Sequence, residues 1–273
     1  MSWLDIIFPR YCLGANCEGQ QRLLNKYELG LLCPECRDKN LTWIDQPSCL
    51  RCGQWYGEGA LTFDQCRNCI DQPHAYTAIR SSLVADEHSM ELLKAWKYDK
   101  QVGIWQEMQI WTQAWQKHID NLTEIHDLQH PLIVPVPTTR ASYMKRGFNQ
   151  AEWLAQELNK QLNKQLIKQL TKQTALDGTA NYSDCLISKN KNKQARLLRS
   201  QRLKNPGSKG AASQQFDIKK LRQSTKAKLL NRDILLIDDI CTTGATAHAC
   251  AKVLKRELKA RNVFLLTLLR KTW

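Results

Sequence analysis

The segment Ile234 to Thr246, ILLIDDICTTGAT, gathers the residue types that a phosphorylated sugar needs. An apolar strand ends in Asp238 and Asp239, and the chain then turns through Cys241, Thr242, Thr243 and Gly244 into a helix that begins near Ala245 and Thr246. A helix start presents amides without intrahelical acceptors and the positive end of its dipole, which together suit a phosphate. The threonine hydroxyls add donors, and Gly244 admits a backbone conformation closed to other residues. Two carboxylates would repel a bare phosphate, but they accept hydrogen bonds from the vicinal hydroxyls of a ribose or from water around Mg²⁺. Sugar hydroxyls and a 5′-phosphate therefore fit side by side. The segment is no Walker A loop, because it lacks the Gly-Lys-Ser/Thr ending. The plainer alternative is an ordinary strand-turn-helix with acids at the strand end.

The second chemical constellation is made of thiols. Eight of the eleven cysteines precede residue 70, in four pairs: Cys12 with Cys17, Cys33 with Cys36, Cys49 with Cys52, and Cys66 with Cys69. Two thiolates separated by two residues reach one Zn²⁺ from a single turn, and two such knuckles complete a tetrahedral sulfur site. Sequential pairing predicts one site from Cys12, Cys17, Cys33 and Cys36 and a second from Cys49, Cys52, Cys66 and Cys69, with 15 and 13 residues between the knuckles. Gly53 permits the tight turn that aims amides at sulfur. Four thiolates leave no open position for a substrate, so this zinc is expected to be structural and to hold a module too small for an adequate core. A redox use of one CxxC is the alternative, although such a motif comes once, beside a βαβ unit. His74 could stand in for one ligand.

These residues need elements to hold them. Tyr76–Ala85, Leu132–Val136, Ile234–Ile237 and Val263–Leu269 read as strands, and Ser89–Trp96, Asn149–Gln169 and Ala245–Lys259 as helices. Continuous apolar strands with helices between them predict an α/β fold whose parallel sheet is covered on both faces. The pattern changes near Pro73, which predicts a cysteine module over 1–73 and an α/β domain over 74–273. The stretch Leu158–Gln173 repeats leucine every four residues and reads as a lengthened surface helix.

Hydrophobic residues at 42% and charged residues at 24% exclude wholesale disorder. The N-terminus lacks the features of a secretory signal and no apolar run is long enough for a membrane span, so a cytoplasmic location is expected. The net charge of +14 is uneven: residues 1–80 hold 8 basic against 9 acidic side chains, whereas 81–273 hold 32 against 17. Lys189–Arg232 alone carries 14 basic side chains and one acid, Asp217. Such a segment attracts phosphates or nucleic acid, unless it is simply a solvated loop.

Ile234–Thr246 resembles the motif of type I phosphoribosyltransferases that binds phosphoribosyl pyrophosphate (PRPP). Val134–Pro137 (VPVP), Arg140, Arg146–Gln150 (RGFNQ), Leu92–Tyr98 (LLKAWKY) and the spacing of Gln194, Leu197, Arg202 and Asn205 resemble the ComF family, including the GntX proteins. With the cysteine module, the similarity covers nearly the whole chain. The resemblance implies a type I phosphoribosyltransferase fold preceded by a double zinc ribbon, with two structural Zn²⁺ and with Mg²⁺ arriving beside PRPP. It places Asp238 and Asp239 on the ribose hydroxyls and Cys241, Thr242, Thr243, Gly244, Ala245 and Thr246 around the 5′-phosphate. Pro137, Thr138 and Thr139 would form a pyrophosphate loop with Arg140 or Arg146 nearby. Asp238, Asp239 and Arg146 would be the catalytic groups, unless Arg146 pairs structurally with an acid. In that chemistry a nucleophile attacks C1 of PRPP, pyrophosphate leaves, and the protein contributes positioning and charge stabilisation. No residue in the motif indicates the acceptor. The resemblance also points to natural transformation, with single-stranded DNA and the DNA-uptake machinery as partners. A non-catalytic DNA-binding protein that keeps a phosphate-ribose pocket is the alternative function. Trp96, Trp105, Trp111 and Trp115 could stack bases, although the spacing of the last two suits a core.

Overall fold

The computed structural model describes residues 11–14, 17, 23–24, 30–98, 103–128, 131–170, 182–189 and 215–272, the side chains of 165–170 and 215 excepted. Most of the basic segment and the end of the leucine ladder lie outside the described residues. Two short helices, α1 (Pro34–Asn40) and α2 (Arg67–Asp71), follow cysteine knuckles. Then come β1 (Ala78–Val84), α3 (Glu87–Tyr98), α4 (Ile104–His126), β2 (Leu132–Pro135), α5 (Arg140–Arg146) and α6 (Gln150–Leu170). The chain continues through β3 (Leu186–Lys189), β4 (Gln215–Ile218), α7 (Gln223–Leu229), β5 (Ile234–Cys241), α8 (Ala245–Leu258) and β6 (Val263–Arg270).

Four strands form an all-parallel sheet in the order β1-β6-β5-β2, and β3 pairs antiparallel with β4. Both faces are covered, so β2 and the first half of β5 are wholly apolar, whereas β1 buries Arg80, Ser81 and Ser82 and β6 buries Thr267 and Arg270. On β5, Leu235 and Ile237 enter one core with α4 and α6, while Ile234 and Leu236 enter the other with α8, α7 and the β3–β4 hairpin. Trp111 and Trp115 of α4 are fully buried in the first core, and the Trp115 indole donates to the Thr267 carbonyl at 2.9 Å. β5 runs four residues further than its apolar run, because β6 keeps pairing beside it, with Asp238 opposite Thr267 and Cys241 opposite Arg270. The acids therefore lie inside the strand and close to its carboxyl end.

The cysteine module docks on the free edge of β1. The amide of Ile44 donates to Ser82, that of Val84 to Thr42 and that of Ile79 to Arg51, each at 2.9 Å. Gly53 sits so close that a Cβ would lie 2.7 Å from the Ile79 carbonyl oxygen, and its φ of +68° adds a second reason for glycine. On the opposite edge, the Ser183 amide donates to Ile133. Glu107 of α4 anchors the first cysteine cluster: fully buried, it pairs with Arg37 at 3.0 Å and accepts from the Leu31 amide and the Trp111 indole. Among the described residues, no helix is long and apolar enough to cross a membrane.

Candidate functional site

A cleft of about 290 Å³ opens at the carboxyl edge of the sheet, near the small end of the range for ligand sites. Three segments wall it: β5 with the start of α8, the turn after β2 with α5, and the starts and ends of α6 and α3. Asp238, Asp239, Thr242, Thr246, Pro137, Thr138, Thr139 and Arg146 all line it. Thr243, Gly244 and Ala245 complete the loop and the first turn of α8, with the Ala245 amide donating to Thr243 Oγ1 at 3.3 Å. Gly244 has φ +77°, and a Cβ there would lie 3.1 Å from the buried Tyr76 hydroxyl beneath the loop. The loop is held from behind by Arg270, whose guanidinium donates to the carbonyls of Cys241 at 3.2 Å, Thr242 and Lys271. Turning those carbonyls inward leaves the helix start facing the cleft. Cys241 itself is buried under the loop.

The opposite wall is organised by side-chain caps. Thr139 caps α5 by accepting from the Ser142 amide at 3.2 Å, and Gly147 ends that helix in the left-handed region. Asn149 accepts from the Ala151 amide at the start of α6 and donates to the Val136 carbonyl at 3.2 Å, which ties the RGFNQ segment to the end of β2. Arg146 is thereby held against Gln150 Oε1 at 2.8 Å and the Tyr98 hydroxyl at 3.4 Å, and neither partner is an acid.

The acidic pair is not bare. Lys97, near the end of α3, places Nζ 2.6 Å from Asp239 Oδ2. Asp238 Oδ1 accepts from the Asp239 amide at 2.9 Å. Burial and the adjacent Asp239 carboxylate hold the Asp238 carboxyl well above the usual carboxylate range, against the opposing pull of that amide, Lys97 and Arg146. Lys97, Ser142, Asn149 and Gln150 belong to the cleft wall but were not singled out from the sequence as site residues. The LLKAWKY and RGFNQ stretches, which contain three of the four, were the available signal.

Arg140 points elsewhere. It lines a neighbouring cavity of about 360 Å³ with Tyr143, Glu152, Asp184 and Lys219, which shares Pro137, Thr138 and Asn149 with the cleft.

Cys12, Cys17, Cys33 and Cys36 converge, as do Cys49, Cys52, Cys66 and Cys69, each set with its sulfurs within 4.8 Å of one another. The sulfurs of Cys17 and Cys33, Cys49 and Cys69, and Cys52 and Cys66 stand 4.0, 4.0 and 3.7 Å apart. A tetrahedron with metal–sulfur bonds of ~2.3 Å has edges of ~3.8 Å, so the thiols fit zinc. The amides of Gly14 and Cys33 donate to Cys12, and those of Cys52 and Cys66 to Cys49. Such donors favour thiolates. The four-residue spacer of the first pair does not prevent closure. His74 stacks on Tyr76 at 4.7 Å and joins neither cluster. Both clusters could hold structural zinc ions.

The molecule is thus an α/β protein with a polar cleft at the carboxyl edge of a parallel sheet and two tetra-cysteine clusters at its N-terminal end. The chain is 30% identical over 148 residues to the competence protein ComFC of Bacillus subtilis (strain 168). That match covers 54% of this chain and 48% of the relative, so the chain spans about half the relative's length. No protein-family model matches.

Proposed function

We propose that the chain is a ComF-type protein, with a zinc module over 1–73 and a phosphoribosyltransferase-type domain over 74–273, that binds PRPP in this cleft. The observation that carries the reading is the convergence of Asp238 and Asp239 with the α8 start and the Thr138–Thr139 turn in one cavity. The acids suit ribose hydroxyls, the helix start suits a 5′-phosphate, and the turn with Arg146 suits a diphosphate. Mg²⁺ would enter beside that diphosphate and supply charge neutralisation when bound. In a transferase reaction Asp238, Asp239, the Thr138–Thr139 turn and Arg146 would orient C1 and stabilise the departing pyrophosphate.

The experiment is calorimetry with zinc-loaded protein, PRPP and Mg²⁺. PRPP at 100 times its Kd should stabilise the fold by about 2.7 kcal/mol. Asp238→Asn with Asp239→Asn should abolish that shift and leave the unliganded protein folded. Absence of binding to the wild type would end the pocket assignment. Release of pyrophosphate with a panel of nitrogenous bases separates an enzyme from a binding protein. The likeness to a competence protein supports a role in natural transformation, where the protein would meet incoming single-stranded DNA in the cytoplasm.

A further inference from the structure

Among the described residues, four charged side chains line the cleft: Lys97, Arg146, Asp238 and Asp239. When all are ionised the cleft is electrically neutral. Lys97 and Asp239 form the closest of these contacts, at 2.6 Å, with only 14% and 11% of their side chains exposed. The lysine is fixed through its neighbours in the chain. Trp96 is buried edge-on among Trp105, Phe148 and Trp153, and Tyr98 lies under Lys145 at 4.8 Å and Arg146 at 5.6 Å. Gln150, also in the cleft wall, is 2% exposed and its Nε2 has no partner among the described residues. A buried donor without an acceptor points to a ligand that brings one.

Two adjacent carboxylates in a cleft would ordinarily attract a hydrated divalent cation. Here a cation would have to break a largely buried ion pair and leave an ammonium without its counter-charge, which is strongly unfavourable. A phosphorylated sugar poses no such conflict, because its phosphate takes the ammonium and its hydroxyls take the carboxylate. We propose that Lys97 is the resident counter-ion of the cleft, closing Asp239 to free divalent cations and yielding it only to a ligand whose anionic group replaces the carboxylate. The proposal rests on the reading of the ligand as a phosphorylated sugar. It makes the divalent cation enter with the diphosphate and not ahead of it.

The test uses Mn²⁺ alone as probe, with zinc-loaded full-length protein and the free ion counted by electron paramagnetic resonance. The wild type should bind no Mn²⁺ at sub-millimolar concentrations. Lys97→Ala and Lys97→Gln should each take up one ion, at least about tenfold tighter than the wild type (~1.4 kcal/mol). Adding Asp239→Asn should abolish that uptake, and Lys97→Arg should exclude the ion as the wild type does. Equal binding by wild type and Lys97→Ala overturns the proposal, as does an absence of binding to a Lys97→Ala protein that circular dichroism shows to be folded. Failure of PRPP to bind the wild type, alongside the expected Mn²⁺ pattern, would overturn the PRPP reading and leave the counter-ion role standing.

Discussion

Consecutive strand residues face opposite sides of a sheet, so Asp238 and Asp239 answer to different neighbours although they open on one cleft. Asp239 meets Lys97 from α3, whereas the charge of Asp238 bears on the buried thiols of Cys241 and Cys250. The acids themselves were legible in the sequence, because two carboxylates ending an apolar run beside TTGAT have few other uses. Their cation was not, because nothing local in KAWKY says which distant carboxylate it will meet. His118 carries a prediction of its own. Burial, and then Arg80, lower it from 6.5 to about 4, and its ring lies 3.1 Å from the Ser81 carbonyl. Between those values the unfolded chain takes up a proton that the folded chain refuses, so His118 lowers stability progressively as pH falls from about 6.5 to about 4. The loss should approach about 3 kcal/mol at the acid end. Urea unfolding of His118→Gln across this window should show a flatter acid limb. Superimposed limbs would remove His118 from the account.

Among the elements, strands with apolar runs were legible and short polar elements were not, and the 23-residue α4 also went unassigned, although Trp111 and Trp115 lie one helical turn apart in it. β1, β2, β5 and β6 all stand within two residues of their expected starts; β2, β5 and β6 are buried on both faces and declare it in composition, while β1 buries Arg80, Ser81 and Ser82 as well. α5 escaped notice because RASYMKR buries nothing and owes its existence to the Thr139 cap and the Gly147 stop. The β3–β4 hairpin has four-residue strands, too short for alternation to speak. The knuckles, by contrast, were readable pair by pair, because thiol spacing is local and closure of each cluster uses neighbours in the sequence. Metal analysis of protein purified without chelator should return about two zinc ions per chain. Stripping them should release the strands of backbone that cover β1, and an uncovered edge templates pairing with other chains. Light scattering should therefore rise after chelation and fall when zinc is restored early. A value near one would leave a single occupied cluster.

Across the whole molecule the charge is lopsided, with the basic excess confined to residues 81–273. If single-stranded DNA binds there, log affinity should fall with log salt at a slope of roughly 0.7 per phosphate neutralised. Replacing Lys191, Lys193, Arg196 and Arg199 by alanine should flatten the slope, and an unchanged slope returns that stretch to a solvated role. The seam between module and sheet has a different reach. Arg51, between Cys49 and Cys52 of the second cluster, donates to the His74 carbonyl at 2.9 Å, and its own carbonyl accepts from the Ile79 amide. Tyr76 lies between those two contacts, directly beneath Gly244 of the loop before α8. The second cysteine cluster and the loop before α8 thus flank opposite sides of one short stretch of backbone, so zinc in the one and the proposed ligand at the other would share it. Coupling of this kind is mutual: whatever factor zinc contributes to the ligand's affinity, the ligand returns to zinc. Competition with a chromogenic chelator should show zinc held more tightly when PRPP and Mg²⁺ are present, and unchanged when Asp238 and Asp239 are both asparagine. The chain would then retain its metal best while its cleft is occupied, so that starvation for either component loosens the hold on the other.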